Sequence, residues 1–249
     1  MTKPLIIANW KMNPQSLAEA KRNFEIIKKG VRHVKNVETV VCAPFVFLAA
    51  LKATKDVKLG AQDCFWEKKG PFTGEISPKM IKNLGCKYVI LGHSERRKYL
   101  KEETELVNRK IKAALKVGLR VIFCVSSEKK EPGREMKYQL EKGLYGLNKS
   151  VFVKLILVYE PIWAISTTKN RVIATPQESS RGCLYIRKVL ERLFNKRTAQ
   201  RTKIIYGGSV DSKNVRDFLD RGEMAGGLVG AASLKPKEFV KTVKNASRS

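Results

Sequence analysis

"LILVYEPIWAISTTKNRVIATPQESSRGCLYIRKVLERLF" (155–194) contains one full period of the plan on which the chain is built. Leu155 to Tyr159 is an unbroken run of large apolar residues. It has the length of a strand, and a run apolar on both parities suits a strand buried on both faces. The run ends on a carboxylate, Glu160, followed by Pro161, and then gives way to small and hydroxylated residues. Thr175 next offers a side-chain N-cap, Pro176 suits a first helical turn, and Glu178 completes a capping box. A helix is therefore predicted from this point. The unit runs from strand through loop to helix, and its strand delivers an acid at the carboxyl end.

The same unit recurs along the chain. Apolar runs of strand length stand at 5–9 (LIIAN), 39–43 (TVVCA), 57–62 (VKLGAQ), 88–93 (YVILGH), 120–125 (RVIFCV), 155–160 (LILVYE), 203–208 (KIIYGG) and 226–231 (GGLVGA). Between them lie amphipathic stretches. "SLAEAKRNFEIIKKG" (16–30) sets Leu17, Ala20, Phe24 and Ile27 at helical spacing and closes on Gly30. "ELVNRKIKAALKVG" (105–118) does so with Leu106, Ile111, Ala114 and Leu115 before Gly118, and Ser77-Pro78 opens another. Eight such pairs in 249 residues, with no linker-like change of composition, predict an α/β chain folded as one closed (β/α)8 barrel over residues 1–249. An open doubly wound sheet would alternate in the same way, but no GxGxxG follows the first strand. A barrel of this kind carries its chemistry at the carboxyl ends of its strands.

Those ends hold a distinctive set. The first strand delivers Asn9, then Trp10 and Lys11; the fourth delivers His93, then Ser94, Glu95, Arg96 and Arg97. The sixth delivers Glu160, the seventh Gly207, Gly208 and Ser209, and the eighth Gly230 and Ala231. One rim would thus hold a base, an imidazole, a fixed cation and backbone N–H groups able to hold an oxyanion or a phosphate. Each residue taken singly has a plainer reading. Glu160 could be a strand end paired with one of many cations, His93 a satisfied structural histidine, Lys11 one lysine among many, and the glycines a tight turn. Convergence on one face favours chemistry. The other histidine, His33, lies in the polar stretch "KKGVRHVKN" and reads as exposed and inert.

Composition excludes several classes. With 43% hydrophobic residues the chain can bury a core, and no apolar run approaches the roughly 20 residues of a membrane span. The start, "MTKPLIIANW", lacks the pattern of a secretory signal, so a cytoplasmic location is expected. Five dispersed cysteines without a CxxC pair give neither a disulfide framework nor a zinc site. The formal charge of +27 draws anions of every kind, yet Lys and Arg are scattered without a block or tail, and aromatic residues are not interleaved with them. A solvated basic surface is expected, with no specific nucleic-acid site.

"ANWKMN" (8–13), "FTGEIS" (72–77), "GHSERR" (92–97), "YEPIWAI" (159–165), "YGGSV" (206–210) and "GLVGAASL" (227–234) closely resemble, in order and over essentially the whole chain, the signature segments of the triosephosphate isomerase family. "GHSERR" with "YEPIWAI" is the specific pair. The resemblance implies an isomerase that interconverts dihydroxyacetone phosphate and D-glyceraldehyde 3-phosphate through an enediolate, in glycolysis and gluconeogenesis, with no metal or organic cofactor. By the family's established division of labour, Glu160 is the general base and neutral His93 polarises the carbonyl, facing helix N–H groups that begin near Ser94. Lys11 and Asn9 stabilise the developing charge, Glu95 holds the lysine in an ion pair, and N–H groups near Ser166, Ser209, Gly230 and Ala231 grip the phosphate. "PIW" leads into a lid that excludes water. The family's homodimer implies that the third loop, "DCFWEKKGPFTGEIS", sends Thr73 toward Asn9 of a second copy, with Phe65, Trp66 and Phe72 as apolar anchors.

Three positions depart from the family's pattern. Ser166 and Thr168 stand where the lid usually has glycines, and about three extra residues precede Thr175. Ala231 replaces the second glycine of a phosphate turn. Ser127 replaces a glutamate that usually helps to park the open lid.

Overall fold

The computed structural model describes residues 3–165 and 172–247. Eight parallel strands close into a barrel in chain order: β1 Leu5–Asn9, β2 Glu38–Cys42, β3 Val57–Ala61, β4 Tyr88–Leu91, β5 Arg120–Ser127, β6 Leu155–Pro161, β7 Lys203–Tyr206 and β8 Gly226–Val229. β1 pairs with β8 as well as with β2, which leaves no strand edge exposed. The surrounding helices are α1 Leu17–Val31, α2 Phe45–Leu48, α3 Pro78–Asn83, α4 Ser94–Leu100, α5 Thr104–Lys116, α6 Arg134–Gly143, α7 Pro176–Leu193, α8 Lys196–Arg201, α9 Val215–Asp220 and α10 Pro236–Ala246. The expected (β/α)8 architecture is what forms.

Period-two alternation sorts each strand into two cores. Leu5 and Ile7 of β1, Ile122 and Cys124 of β5, and Ile156 and Val158 of β6 fill the lumen, with Val40, Tyr88, Ile90, Ile205 and Leu228. The alternate residues, such as Ile6, Ala8, Phe123, Leu157 and Tyr159, pack outward against the helices. The parity that turns Leu5 and Ile7 inward also turns Asn9 inward, and the parity of Ile156 and Val158 does the same for Glu160. Two side chains of the candidate site are therefore placed by strand register before any loop is considered.

Helix starts follow their caps. Ser16 accepts from the Glu19 N–H, Ser77 from the Met80 N–H, and Thr175 and Glu178 form a complete capping box before α7. One expectation fails: α1 does not close on Gly30 but runs to Val31, and Leu17 is exposed. A Cβ on Gly30 would lie 2.5 Å from Val240 of α10, so this glycine lets two helices approach closely and does not stop the first.

Candidate active site

Glu160 is fully buried at the carboxyl end of β6. A carboxylate there needs donors. Oε2 accepts from the Ser94 N–H at 3.0 Å and lies 3.4 Å from Ser126 Oγ. Oε1 has no aligned hydrogen-bond donor among the described residues and sits 3.1 Å from His93 Nε2. Gly207 of the next strand supplies the space, because a Cβ on it would lie 2.9 Å from Glu160 Cγ and 2.5 Å from Val158 Cγ1. Below the carboxylate in the lumen, burial and then the charge of Glu160 push the Cys124 thiol well up, so this floor stays uncharged.

His93 caps α4. The chain reverses out of β4 at Gly92, whose φ of +69° is costly for a residue with a side chain. The Glu95 N–H, in the first turn of α4, donates to His93 Nδ1 at 3.3 Å. A ring that accepts at Nδ1 carries its neutral-state proton on Nε2, the nitrogen next to Glu160.

Lys11 has φ of +54°, a left-handed backbone that costs an L residue about 1–2 kcal/mol. Two contacts hold it: its N–H donates to Asn9 Oδ1 at 3.1 Å, and its ammonium lies 2.6 Å from Glu95 Oε1. A cavity of about 410 Å³ opens beside Asn9, Lys11, His93 and Glu95, with Met12 and Val46 on its outer wall.

The glycine-containing strand ends join the same rim. Ser209 Oγ donates to the Ala164 carbonyl at 2.8 Å, tying the β7 loop to the short 3₁₀ turn Ile162–Ala164 that follows Glu160. Ser233 Oγ lies within hydrogen-bonding distance of the Gly230 and Asn9 carbonyls, at 2.7 and 3.3 Å, which joins β8 to β1. Ala231 begins a 3₁₀ turn whose first N–H groups have no partner within the helix. Asn9, Lys11, His93, Glu95, Glu160, Ser209, Gly230 and Ala231 thus share one end of the barrel. Ser166 and Thr168 lie outside the described residues.

Three contributors were not read from the sequence. The Ser94 N–H is a backbone group with no composition signal. Gly207 was read as part of a turn, whereas its role is to leave room. Ser126 was readable: it has the inward parity of Ile122 and Cys124 and pairs directly with Glu160 across β5 and β6.

The profile of the family described as "Triosephosphate isomerase" matches residues 4–246. Curated proteins named triosephosphate isomerase agree along the full length. That of Dictyoglomus thermophilum is 43% identical over 256 residues, covering 98% of this chain and all of its own. That of Geobacter metallireducens is 42% identical, covering 96% and 97%, and that of Carboxydothermus hydrogenoformans is 42% identical, covering 99% and 100%.

The chain belongs to the triosephosphate isomerase family.

Two departures from the triosephosphate isomerase pattern now have a physical account. Neither Gly230, with φ of −86°, nor Ala231 is left-handed, so alanine there brings no backbone strain and keeps its N–H. Beside Ser127, whose Oγ donates to the Lys129 carbonyl, the Trp163 Nε1–H donates to that same carbonyl at 3.2 Å. The Lys130 ammonium lies 5.2 Å from the Trp163 ring centre and 2.9 Å from Glu178, inside the capping box of α7. A backbone carbonyl and a neighbouring lysine thus hold Trp163 beside Ser127.

Proposed function

We propose that this chain interconverts dihydroxyacetone phosphate and D-glyceraldehyde 3-phosphate by moving a proton between adjacent carbons through an enediolate, the isomerase step of glycolysis and gluconeogenesis. One observation carries the reading: a buried carboxylate oxygen without an aligned donor among the described residues lies 3.1 Å from the imidazole nitrogen that bears the neutral ring's proton, and that imidazole lines a cavity beside a fixed ammonium. Glu160 takes the proton from the carbon beside the carbonyl. His93 Nε2–H polarises the carbonyl oxygen and moves protons between the two enediolate oxygens. Lys11 and the Asn9 amide stabilise the negative charge that develops there, with Glu95 as the positioning residue of Lys11. Backbone N–H groups at Ser209, Gly230 and Ala231 hold the phosphate, together with Ser166. We place the reaction in the cytoplasm. A coupled assay in both directions tests it: turnover of either triose phosphate supports the assignment, and its absence in folded protein removes it.

The space around Glu160 gives a second test. Gly207→Ala would push the new methyl group into the Glu160 side chain and Val158. A displacement approaching 1 Å should lower kcat/KM by about 100-fold. A variant that folds and keeps wild-type kcat/KM would show that the position of Glu160 does not matter.

We further propose a homodimer in which the segment 63–77 of each copy fills the outer cavity of the other. Phe65 and Trp66 stack at 3.8 Å, Phe72 packs on Phe65 at 4.7 Å, and the Arg109 guanidinium lies 4.4 Å from the Trp66 ring centre. These aromatics shape the segment from within, and Thr73 is exposed on it. The cavity beside Lys11 is walled by Met12 and Val46, which are 85% and 79% exposed in a single chain. Sedimentation is expected to give twice the 28.2 kDa chain mass, and Thr73→Arg to give an inactive monomer. A fully active wild-type monomer would refute the arrangement.

A further inference from the structure

The turns that lead from helices back into strands occupy the amino-terminal end of the barrel, opposite the site described above. Across four adjacent strands, β4 to β7, these connections (84–87, 117–119, 144–154 and 194–202) contain no Asp or Glu. They contain Lys87, Lys149, Lys154, Lys196, Arg197 and Arg201, and Lys116 stands at the edge of one of them. All seven are exposed, and among the described residues none forms an ion pair.

Elsewhere acidic residues stand among the cations, and some pairs form. On the helices, Lys28 pairs with Glu25, Lys137 with Glu141, Arg181 with Glu131 and Arg216 with Asp220. At the amino-terminal end the Glu38 carboxylate is already engaged by Arg120 and by the Tyr88 hydroxyl. Glu141 and Glu191 lie on the flanking helices and not in the turns. The positive face also continues past β7: Lys203 Nζ donates to the Lys3 carbonyl, and Lys3 Nζ to the Lys35 carbonyl. Cations dispersed in sequence converge here because every second connection of a barrel returns to this one end.

The face is also shaped. Between the 3₁₀ turn Lys149–Lys154 and α8 lies a cleft of about 540 Å³, its floor and wall formed by Phe152 and Val153 and its polar lining by Lys149, Ser150, Asn195, Arg197, Thr198 and Arg201. It offers three cations beside hydroxyl and amide groups, a set suited to phosphodiester oxygens. Tyr145, 74% exposed, stands in the same connection as Lys149, with its ring centre 5.7 Å from the Lys112 ammonium of α5. A concave cleft with arginine forks fits a strand's backbone better than the plane of a membrane. We propose that the amino-terminal face of the barrel binds the phosphodiester backbone of a nucleic-acid strand without reading its sequence. This is independent of the isomerase assignment and compatible with the sequence expectation of no specific nucleic-acid site.

Fluorescence anisotropy with a labelled thymidine oligonucleotide of about 20 residues tests it. The wild type should bind with Kd on the order of 10 µM near physiological salt, weakening steeply as salt rises. Lys149→Glu/Arg197→Glu/Arg201→Glu should bind at least about tenfold more weakly, and its log Kd against log salt slope should fall by about two, for three lost phosphate contacts. A matched reversal on the exposed face of α1, Lys21→Glu/Arg22→Glu/Lys29→Glu, should change Kd by less than about threefold. Circular dichroism establishes that both variants are folded. Equal weakening by the two reversals would overturn the proposal, as would a wild type that shows no salt-dependent binding. So would wild-type sedimentation with phosphatidylglycerol-containing vesicles in the absence of oligonucleotide binding.

Discussion

Glu160→Gln is expected to lower kcat by about three to four orders of magnitude while the barrel remains folded. The amide matches the carboxylate in shape, and its carbonyl oxygen can still accept from the Ser94 N–H now 3.0 Å from Oε2. What it lacks is a lone pair basic enough to remove a proton from carbon. Stability should be unchanged or slightly higher, since the substitution removes a charge from a fully buried position. KM should move by only a few-fold, because the groups proposed to hold the phosphate lie on other strands. The coupled assay gives kcat and KM, and thermal unfolding gives the stability. Activity within about tenfold of wild type would mean that another group is the base.

Lys110→Met carries the largest expected effect on stability. The Lys110 ammonium is nearly inaccessible and contacts Asp63 Oδ1 and Oδ2 at 3.0 and 2.8 Å and Glu102 Oε1 at 2.5 Å. Arg96 contacts the same two carboxylates, Asp63 at 2.8 Å and Glu102 at 3.1 Å. This network joins α5 to the start of the 63–77 segment and to α4, next to Glu95. Removing the central cation leaves two buried carboxylates with Arg96 alone between them, with an expected loss of about 3–5 kcal/mol. Chemical denaturation of the variant measures it, and a loss below about 1 kcal/mol would show that the network is incidental.

The pH dependence gives a second signature. In the wild type, burial pushes the Asp63 carboxyl up, with Lys110 offsetting only part of it. At Glu102 burial also pushes upward, but Lys110 and Arg96 outweigh it and the carboxyl ends below its ordinary value. The contribution of Glu102 is therefore present above the ordinary carboxylate range and is lost as pH falls through its depressed value. Without Lys110 only Arg96 opposes burial, and the Asp63 carboxyl is raised further. A raised carboxyl costs stability as pH rises through its folded-state value, so the variant should recover stability as pH falls from neutral toward the ordinary carboxylate range. A variant whose stability falls over that interval would contradict this account.

The barrel was legible because its eight apolar strands and their capped helices state their own lengths. That Asn9, Lys11, His93, Glu95 and Glu160 would meet at one end was legible because this architecture gathers its strand ends there. What escaped had no local signal. The serines closing β5 read as loop, yet the strand continues through Ser127 because Ser126 and Ser127 pair with Glu160 and Pro161. Gly30 read as a stop because the closeness of α10 is a tertiary fact. The unbalanced amino-terminal face was hidden for the same reason, since its cations lie far apart in sequence and meet only when the barrel closes.

Inward parity sets a limit on how such a chain can lengthen. One residue inserted within β6 would exchange Glu160 for Tyr159 at the lumen and drive an acid into the apolar layer beneath α7. Lengthening is tolerable only beyond a strand's last paired residue. The roughly three additional residues that the family resemblance implies after Lys169 would fall there, after Pro161, where β6 has already fixed which way its acid points.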